Sequence, residues 1–287
     1  MKNNPIYIST ILIVSLLFFS ACEKPISGVK LPHIPERLVI TSFISPQDTM
    51  IRVKVFHSFP LGKTRSNDDN GEVLNATVLL SNDIKEVSLL YDINELSYVI
   101  DTDLFPVEAG KTYYLKVSTP DGKKVSANCT VPLFKNESQD IAEVINSGIP
   151  PNNVSMNEYK IKINFKDIAG EKNTYRVYGF YEVDNSGSQF DNEIIFKDNI
   201  YINDQGLDGN LFTIRGSFFK PENTEARITL QLINSDMPYY LYHTSLQKYN
   251  SDDNPFSEPT LIYSNIEGGL GIFCAYNSSF KEFVVNE

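Results

Sequence analysis

Short runs in which apolar and polar residues alternate make up most of the chain. In "TMIRVKVFHSF", Ile51, Val53 and Val55 alternate with polar or aromatic positions, so one face of an extended strand can be buried. Similar runs follow in "LNATVLLSN", "EVSLLYD", "LSYVID" and "AGKTYYLKVSTPDGKKVSANCTVP", where "PDGK" has the composition of a hairpin turn. The pattern predicts an all-β chain whose residues 36–133 form an immunoglobulin-like or transthyretin-like sandwich.

A change in composition separates this first half from the rest of the chain. Residues 134–157 are rich in asparagine and serine and contain Pro150 and Pro151, which interrupt the strand pattern. Strand-like runs resume in "EYKIKINFKD", "NTYRVYGFYEVD", "EIIFKDNIYIND", "NLFTIRGSFF" and "ARITLQLINSD". We therefore expect a linker at 134–157 and a second, β-rich domain at 158–287.

One stretch of the second half has helical rather than strand-like spacing. In "SDMPYYLYHTSLQKYN", Ser235 or Asp236 can cap the N-terminus of a helix, and Pro238 lies early in its first turn. Apolar and aromatic residues then recur at helical intervals, at Tyr239, Tyr242, Leu246 and Tyr249. We expect this face to pack on the sheet, and the alternative is an aromatic stripe that faces a ligand.

The N-terminus has the pattern of an export signal. Residues 6–19 form an apolar run after Lys2, and this run is too short to span a bilayer as a helix. Small residues then precede Cys22, and the sequence "FSAC" resembles the lipobox of bacterial lipoproteins. The resemblance implies that residues 1–21 are a signal peptide and that Cys22 becomes the acylated first residue. The alternative is an ordinary signal peptide in which Cys22 is incidental.

The residues after Cys22 predict a tether between a membrane and the folded protein. Residues 22–35 contain three prolines in "EKPISGVKLPHIP", and proline favours an extended spacer. Each buried methylene of an acyl chain contributes about 0.8 kcal/mol, so two or more chains anchor a protein firmly. We therefore expect the acylated N-terminus to make the membrane contact.

The net charge limits the classes of partner, and the cysteines limit the possible disulfides. The formal net charge of −11 argues against nucleic-acid binding, which needs basic surface to displace counterions from phosphates. It argues equally against docking on anionic lipid. Beyond Cys22, the cysteines are Cys129 and Cys274, which lie in separate strand-like runs. We expect buried thiols, and a disulfide between them is the alternative.

The motifs of known catalytic and metal sites do not fit the sequence. Two "GKT" tripeptides lack the preceding glycine of a phosphate-binding loop. The histidines, His33, His57 and His243, are far apart and form no zinc motif. "NDQGLDGN", with Asp204 and Asp208, lacks the spacing of a calcium loop and is expected to be a turn, with calcium binding as the alternative. We therefore expect no enzyme, no cofactor and no catalytic or metal-binding residues.

The C-terminal region carries the strongest resemblance to a known family. Residues 254–279, "NPFSEPTLIYSNIEGGLGIFCAYNSS", resemble the closing motif of Bacteroidota lipoproteins that share domain of unknown function 4249. An early "LVI" strand and the strand "GKTYYLKV" match that family in the same order. Physically, Gly268, Gly269 and Gly271 permit a tight turn or a close backbone approach before the last strand. Cys274 stands where the family has a small residue, which predicts that it is buried.

The resemblance implies a function, because genes of this family tend to lie beside those of TonB-dependent outer-membrane transporters. We expect a non-catalytic accessory or ligand-binding partner of such a transporter, lipid-anchored on the periplasmic or extracellular face of the outer membrane. Asn254, Asn265 and Glu267 are the candidate contacts with this partner, because their side chains can reach outward. The alternatives are a structural or adhesive immunoglobulin-like surface module and a surface hydrolase with a carboxylate site.

Overall fold

The computed structural model describes residues 35–59, 70–133, 140–150, 156–183, 192–251 and 260–286. These residues form 16 strands and one helix, which confirms the predicted all-β class. The strands of the first half are β1 (Leu38–Ile44), β2 (Met50–His57), β3 (Thr77–Ser81), β4 (Glu86–Asp92), β5 (Ser97–Asp101), β6 (Thr112–Ser118) and β7 (Lys124–Thr130).

The elements of the second half are also strands, apart from one helix that precedes the last strand. They are β8 (Asp140–Asn146), β9 (Asn157–Lys166), β10 (Thr174–Val183), β11 (Asn192–Glu193), β12 (Ile195–Phe196), β13 (Tyr201–Asn203), β14 (Leu211–Lys220), β15 (Ala226–Ser235), α1 (Met237–Ser251) and β16 (Leu270–Val285). In this described part, no helix is both long and apolar enough to cross a bilayer.

The first seven strands form a continuous antiparallel ladder in the order β1-β2-β5-β4-β3-β6-β7. Their inward side chains share one buried cluster, which includes Ile51, Val53 and Val55 as the alternation predicts. The "PDGK" turn joins β6 to β7 as predicted, and the Thr119 N–H donates to the Lys123 carbonyl at 3.0 Å. This half is a sandwich-like unit with an apolar centre.

A second sandwich brings two sheets of the C-terminal half together. One sheet has the order β12-β14-β9-β8, and the other contains β10, β15 and β16. Large side chains of both sheets form a second buried cluster, in which the rings of Tyr159 and Phe218 stack at 5.2 Å. The ring of Phe165 lies 5.2 Å from that of Tyr175 on the facing sheet. Aromatic burial of this kind supplies much of the packing energy of a sandwich.

The last strand, β16, connects the two halves. It is 16 residues long and pairs in parallel with β1 and antiparallel with β15. Because its side chains alternate, Phe273 joins the first cluster whereas Ile272 and Cys274 pack beneath the helix. Further along, Val285 joins the second cluster. The sheet therefore runs without interruption from the first half of the chain into the second.

Helix α1 lies on one face of this sheet, as the sequence predicts. Asp236 is its N-cap, because its Oδ1 accepts the backbone N–H of Tyr239 at 3.0 Å. Tyr239 is buried, and both it and Tyr242 pack against Phe43 of β1. The expectation that Tyr249 also packs on the sheet is wrong, since this side chain is 55% exposed. The helix contacts the sheet through its first two turns, and Tyr249 lies beyond them.

One strand lies inside the predicted linker. Strand β8 occupies part of 134–157 and pairs with β9, so this segment is not a linker throughout. A register shift between Ile141 and Glu143 interrupts the regular alternation of β8, which hides the strand from pattern analysis. The division into two domains stays a prediction, and the pairing of β1 with β16 shows that the two halves share a sheet.

Both cysteines of the described residues are buried and free. The expectation of buried thiols is confirmed for Cys129 and Cys274, and the alternative of a disulfide is wrong. Burial raises the pKa of both thiols well above its ordinary value, and the nearby carboxyl of Asp236 adds to the effect. These thiols are therefore protonated at neutral pH, which makes them poor nucleophiles.

Candidate ligand-binding cleft

An open cleft of about 440 Å³ lies on the sheet face that α1 partly covers. Strands β1, β10, β11, β15 and β16 contribute to it together with the helix, so residues far apart in the sequence meet there. Its chemistry is aromatic with one central cation, since its lining includes Arg176, Tyr178, Tyr239, Tyr276, His243 and Phe43. We call this site the arginine–tyrosine cleft.

Arg176 faces this cleft because of the alternation along β10. Its two neighbours in the strand are buried in the second cluster, which places Arg176 on the opposite face. Its Nη1 donates to the hydroxyl of Tyr239 at 3.0 Å. Its guanidinium carbon lies 5.5 Å from the ring centre of Tyr178 and 5.4 Å from that of Tyr201. These distances are typical of cation–π contacts, so tyrosines surround the charge.

The positive charge of Arg176 has no anionic partner among the described residues. Its buried Nε has no hydrogen-bond partner, and no ion pair joins the guanidinium to a carboxylate of this part of the chain. Burial also raises the pKa of Tyr239 and Tyr201, so both phenols are neutral at pH 7. A partly desolvated cation without a counter-ion is costly, and an anionic group placed beside it would be stabilised.

His243 adds a neutral ring to the cleft. Its ring centre lies 4.3 Å from that of Tyr239, and the ring stacks on Tyr201 at 5.7 Å. Burial, assisted by the charge of Arg176, lowers the pKa of His243 to about 4. The imidazole is therefore uncharged at neutral pH and is a weak proton acceptor, which suits packing and recognition better than proton transfer.

A carboxylate marks the rim of the cleft. Glu193 is exposed, and its Oε1 accepts the hydroxyl proton of Tyr178 at 2.8 Å. This hydrogen bond fixes the tyrosine that covers one side of Arg176. A negative charge at the rim also disfavours a second negative charge on any molecule that enters.

Asp236 anchors the helix that forms one wall of the cleft. In addition to capping the helix, its Oδ2 accepts the backbone N–H of Ala275 in β16 at 3.0 Å. Burial raises the pKa of Asp236 to about 7, against the opposing effect of backbone N–H groups that include those of Tyr239 and Ala275. The carboxyl thus holds α1 on the sheet and gains a proton more readily in the folded protein than in the unfolded chain.

Asp236 and His243 should give opposite dependences of stability on pH. For Asp236, the folded pKa of about 7 exceeds the ordinary 3.8, so stability is lost as the pH rises between these values. For His243, the folded pKa of about 4 lies below the ordinary 6.5, so stability is lost as the pH falls between them. In the unmodified protein the two effects oppose each other between about pH 4 and 6.5.

Two single substitutions should therefore separate the two contributions to the pH dependence of stability. Relative to the unmodified protein, Asp236→Asn should become more stable as the pH rises from 4 to 6.5, by at most about 1.4 kcal/mol per pH unit. His243→Phe, which keeps an aromatic ring, should become less stable over the same range. Urea denaturation at several pH values measures both free energies of unfolding. If the free energy of unfolding of both variants changed with pH as it does in the unmodified protein, the two pKa shifts would be contradicted.

A second polar cluster lies away from the cleft, in the loops beside β13. The carboxylates of Asp167, Asp204 and Asp208 each have an oxygen within 4.8 Å of the others, and a neighbouring cavity of about 520 Å³ includes Asp204 and Asp208 in its walls. Asp204 and Asp208 lie between β13 and β14, in the turn that the sequence predicts.

Hydrogen bonds show what this acidic cluster does in the fold. Buried Asp167 accepts the hydroxyl proton of Tyr175 and the backbone N–H of Gly209, both at 2.7 Å. Asp204 accepts the N–H of Asn173 at 2.6 Å, and Asp208 accepts that of Gly170 at 2.8 Å. The three carboxylates therefore clamp two loops together.

The predicted partner contacts fall at different places. Asn265 is half-buried, and its side chain donates to the Phe273 carbonyl at 2.7 Å and accepts the Phe273 N–H at 3.0 Å, which ties the loop to β16. Glu267 is exposed, and its backbone forms two hydrogen bonds with Ser126 of β7. Glu267 is the more exposed of the two, and its Oε2 accepts the hydroxyl proton of Ser126 at 3.3 Å. Asn254 and Cys22, the predicted acylation site, lie outside the described residues.

The sequence predicts neither Arg176 nor His243 as a ligand-binding residue, although Tyr239, which belongs to the alternative of a ligand-facing aromatic stripe, lines the cleft. An arginine between tyrosines in "NTYRVYGFYEVD" fits the polar position of an alternating strand. The sequence feature that points to the cleft is the spacing of Arg176 and Tyr178, which are two residues apart and therefore lie on one face of the strand. His243 fits no zinc motif in the sequence, and the structure places it among aromatic rings.

A comparison with protein-family models identifies the family of the chain. The model described as Domain of unknown function (DUF4249) matches residues 26–282. The chain therefore belongs to this family, as the closing motif predicts. No curated protein matches the chain.

Proposed function

We propose that the protein is an outer-membrane-anchored lipoprotein that acts as a non-catalytic, ligand-binding accessory partner of a TonB-dependent transporter. The arginine–tyrosine cleft is the observation that carries this proposal. It combines aromatic walls, a guanidinium without an anionic partner among the described residues and an open mouth, which are properties of small-molecule sites. Membership of the family supports the proposed partner, because of the gene neighbourhood that the resemblance implies.

The neutrality of His243 favours binding over catalysis. A general base works best with a pKa near the operating pH, whereas the pKa of His243 is lowered to about 4. The buried thiols are equally unsuited to act as nucleophiles, because burial raises their pKa. The cleft therefore supplies shape, ring faces and one positive charge, which are sufficient for recognition.

Cys22→Ala should abolish membrane anchoring. Acylation of Cys22 is the proposed attachment, and the acidic chain is unsuited to hold anionic lipid by charge. We expect the substituted protein to be exported and to appear in the soluble fraction after membranes are washed. Fractionation followed by immunoblotting measures this, with Cys129→Ala as a control that keeps the anchor. Retention of the Cys22→Ala protein in washed outer membranes after signal cleavage would contradict it.

Capture of the full-length protein from detergent-solubilised outer membranes tests the proposed partner. We expect a TonB-dependent transporter to co-purify with the unmodified protein. Glu267→Lys should weaken this co-purification, because an exposed charge at the contact is reversed. Glu222→Lys, which reverses another exposed charge, is the matched control. Absence of a transporter from the purified complex would overturn the partnership, and unchanged capture by Glu267→Lys would remove Glu267 from the contact.

A surface hydrolase is the second candidate, and the acidic cluster is the observation that favours it. Asp204 and Asp208 line a cavity, and paired carboxylates are the catalytic groups of most glycosidases. One oxygen of each carboxylate lies within 4.8 Å of the other, and the carboxyl groups of retaining enzymes are roughly 5–5.5 Å apart. Hydrolysis of an oligosaccharide that disappears in Asp208→Asn would establish this candidate in place of the binding role.

A further inference from the structure

The charge balance of the arginine–tyrosine cleft defines the kind of molecule that it suits. Arg176 is a partly desolvated cation whose buried Nε has no hydrogen-bond partner in the part of the chain that the structure describes. The hydrogen-bond partner of its Nη1, the hydroxyl of Tyr239, is neutral at pH 7 because burial raises the pKa of that phenol. A carboxylate placed in the cleft would supply the missing counter-ion through charge-assisted hydrogen bonds.

The walls of the cleft indicate the chemistry of the rest of the ligand. Tyr178, Tyr239, Tyr276 and His243 present aromatic surface around the guanidinium. Aromatic side chains favour the flat faces of rings, either aromatic or the apolar face of a sugar. The volume of about 440 Å³ is at the lower end of the range of ligand pockets, which is about 300–1,000 Å³. The site is therefore suited to a compound of one or two rings.

The rim limits the charge of the ligand. Glu193 is exposed at the mouth and is held by its hydrogen bond from Tyr178. A ligand with a second anionic group would meet this carboxylate. One negative charge, placed against Arg176, is the arrangement that the described residues favour.

We infer that the arginine–tyrosine cleft binds a small ring compound that carries a single carboxylate. This inference rests on the proposed ligand-binding function and specifies its ligand. Acidic sugars and aromatic acids share this chemistry, so both are tested.

Isothermal titration of the full-length protein in detergent tests the inference. The probes are D-glucuronate and benzoate, each compared with a neutral ring compound, methyl glucoside and benzyl alcohol respectively. Acetate tests whether charge without a ring is sufficient. We expect one of the two ring carboxylates to bind at least about tenfold more tightly than its neutral counterpart and than acetate. Comparable binding of the neutral compound, or no binding of either carboxylate, would overturn the inference.

Substitutions locate the binding in this cleft. Arg176→Gln should weaken binding of the carboxylate about tenfold or more, whereas Arg227→Gln, an exposed arginine on neighbouring β15, should leave it unchanged. Glu193→Gln keeps an acceptor for Tyr178 and removes the charge at the rim, so it should strengthen binding about two- to fivefold. Because Glu193 is exposed, this gain is measurable even if Arg176→Gln folds poorly. Affinities that neither substitution changes would place the ligand elsewhere.

The outcomes separate this inference from the proposed function. Capture of a transporter by a protein that binds neither carboxylate would overturn the ligand class and leave the accessory role in place. Binding of a ring carboxylate in the cleft without any transporter would support the inference and overturn only the partnership.

Discussion

Gly271→Ala should prevent the protein from folding. Gly271 pairs with Ile40 in the parallel ladder of β1 and β16, and a Cβ at this position would lie 1.9 Å from the Ile40 carbonyl oxygen. Its φ of +105° is also a conformation that L-residues rarely adopt. Because the obstacle is backbone, it cannot rotate away. We expect the loss of stability to exceed roughly 5 kcal/mol, which is enough to unfold an ordinary domain.

Gly122→Ala is the matched control for this substitution. Gly122 has a similarly positive φ of +89°, but a Cβ there would have no atom within 4 Å. The conformational penalty alone should cost about 1–2 kcal/mol. Yield of soluble protein and thermal melting distinguish the two variants. A Gly271→Ala protein that melts within a few degrees of Gly122→Ala would show that the two strands do not approach as closely as described.

Gly269→Val should also destabilise the protein, for a related reason. A Cβ at Gly269 would lie 2.7 Å from the Leu38 carbonyl oxygen and 2.8 Å from Cγ1 of Val125. A Cβ at Gly268 would likewise lie 2.8 Å from the Lys124 carbonyl oxygen, so the close backbone approach that the glycine-rich motif predicts is confirmed at all three of its glycines. The motif therefore serves the fold by letting the last strand pass against the first.

Phe273→Ala should produce the second large effect, by emptying part of the first cluster. Phe273 lies on β16, is 0% exposed, and packs with residues of the first seven strands. Removing a buried phenylalanine typically costs about 3–5 kcal/mol. Because β16 belongs to the C-terminal half, we expect urea to unfold both halves of the Phe273→Ala protein together and at lower concentration.

Phe280→Ala provides a control on the same strand. Phe280 is 56% exposed, so its removal should change the free energy of unfolding by no more than about 0.5–1 kcal/mol. Equal losses in the two variants would show that Phe273 is not a core residue. Unfolding of the C-terminal half alone in the Phe273→Ala protein would show that the first half is stable without β16.

The features that could be predicted from the sequence are those that local chemistry determines. Alternation in "TMIRVKVFHSF" is sufficient to predict β2 and its buried face, because the side-chain period of a strand is two. The N-cap at Asp236 is equally local, since the cap accepts a hydrogen bond within its own first turn. The turns at "PDGK" and "NDQGLDGN" follow from the backbone preferences of glycine and aspartate.

The features that could not be predicted depend on contacts between distant segments. The parallel pairing of β1 with β16 joins residues near opposite ends of the chain, and neither strand carries a local signal of its partner. The arginine–tyrosine cleft requires Phe43, Arg176 and Tyr276 to meet, which depends on that pairing and on the face that α1 covers. In β8, the register shift removes the regular period on which strand prediction depends.

The most direct test of ligand binding in the cleft uses the protein from its own membrane. Full-length protein and the Arg176→Gln variant are purified from outer membranes under identical conditions, and the small molecules that each releases on denaturation are compared by mass spectrometry. We expect the unmodified protein to release a small acidic ring compound in near-stoichiometric amount, and the variant to release little of it. Identical small-molecule content of two folded proteins would contradict the role assigned to Arg176 and its cleft.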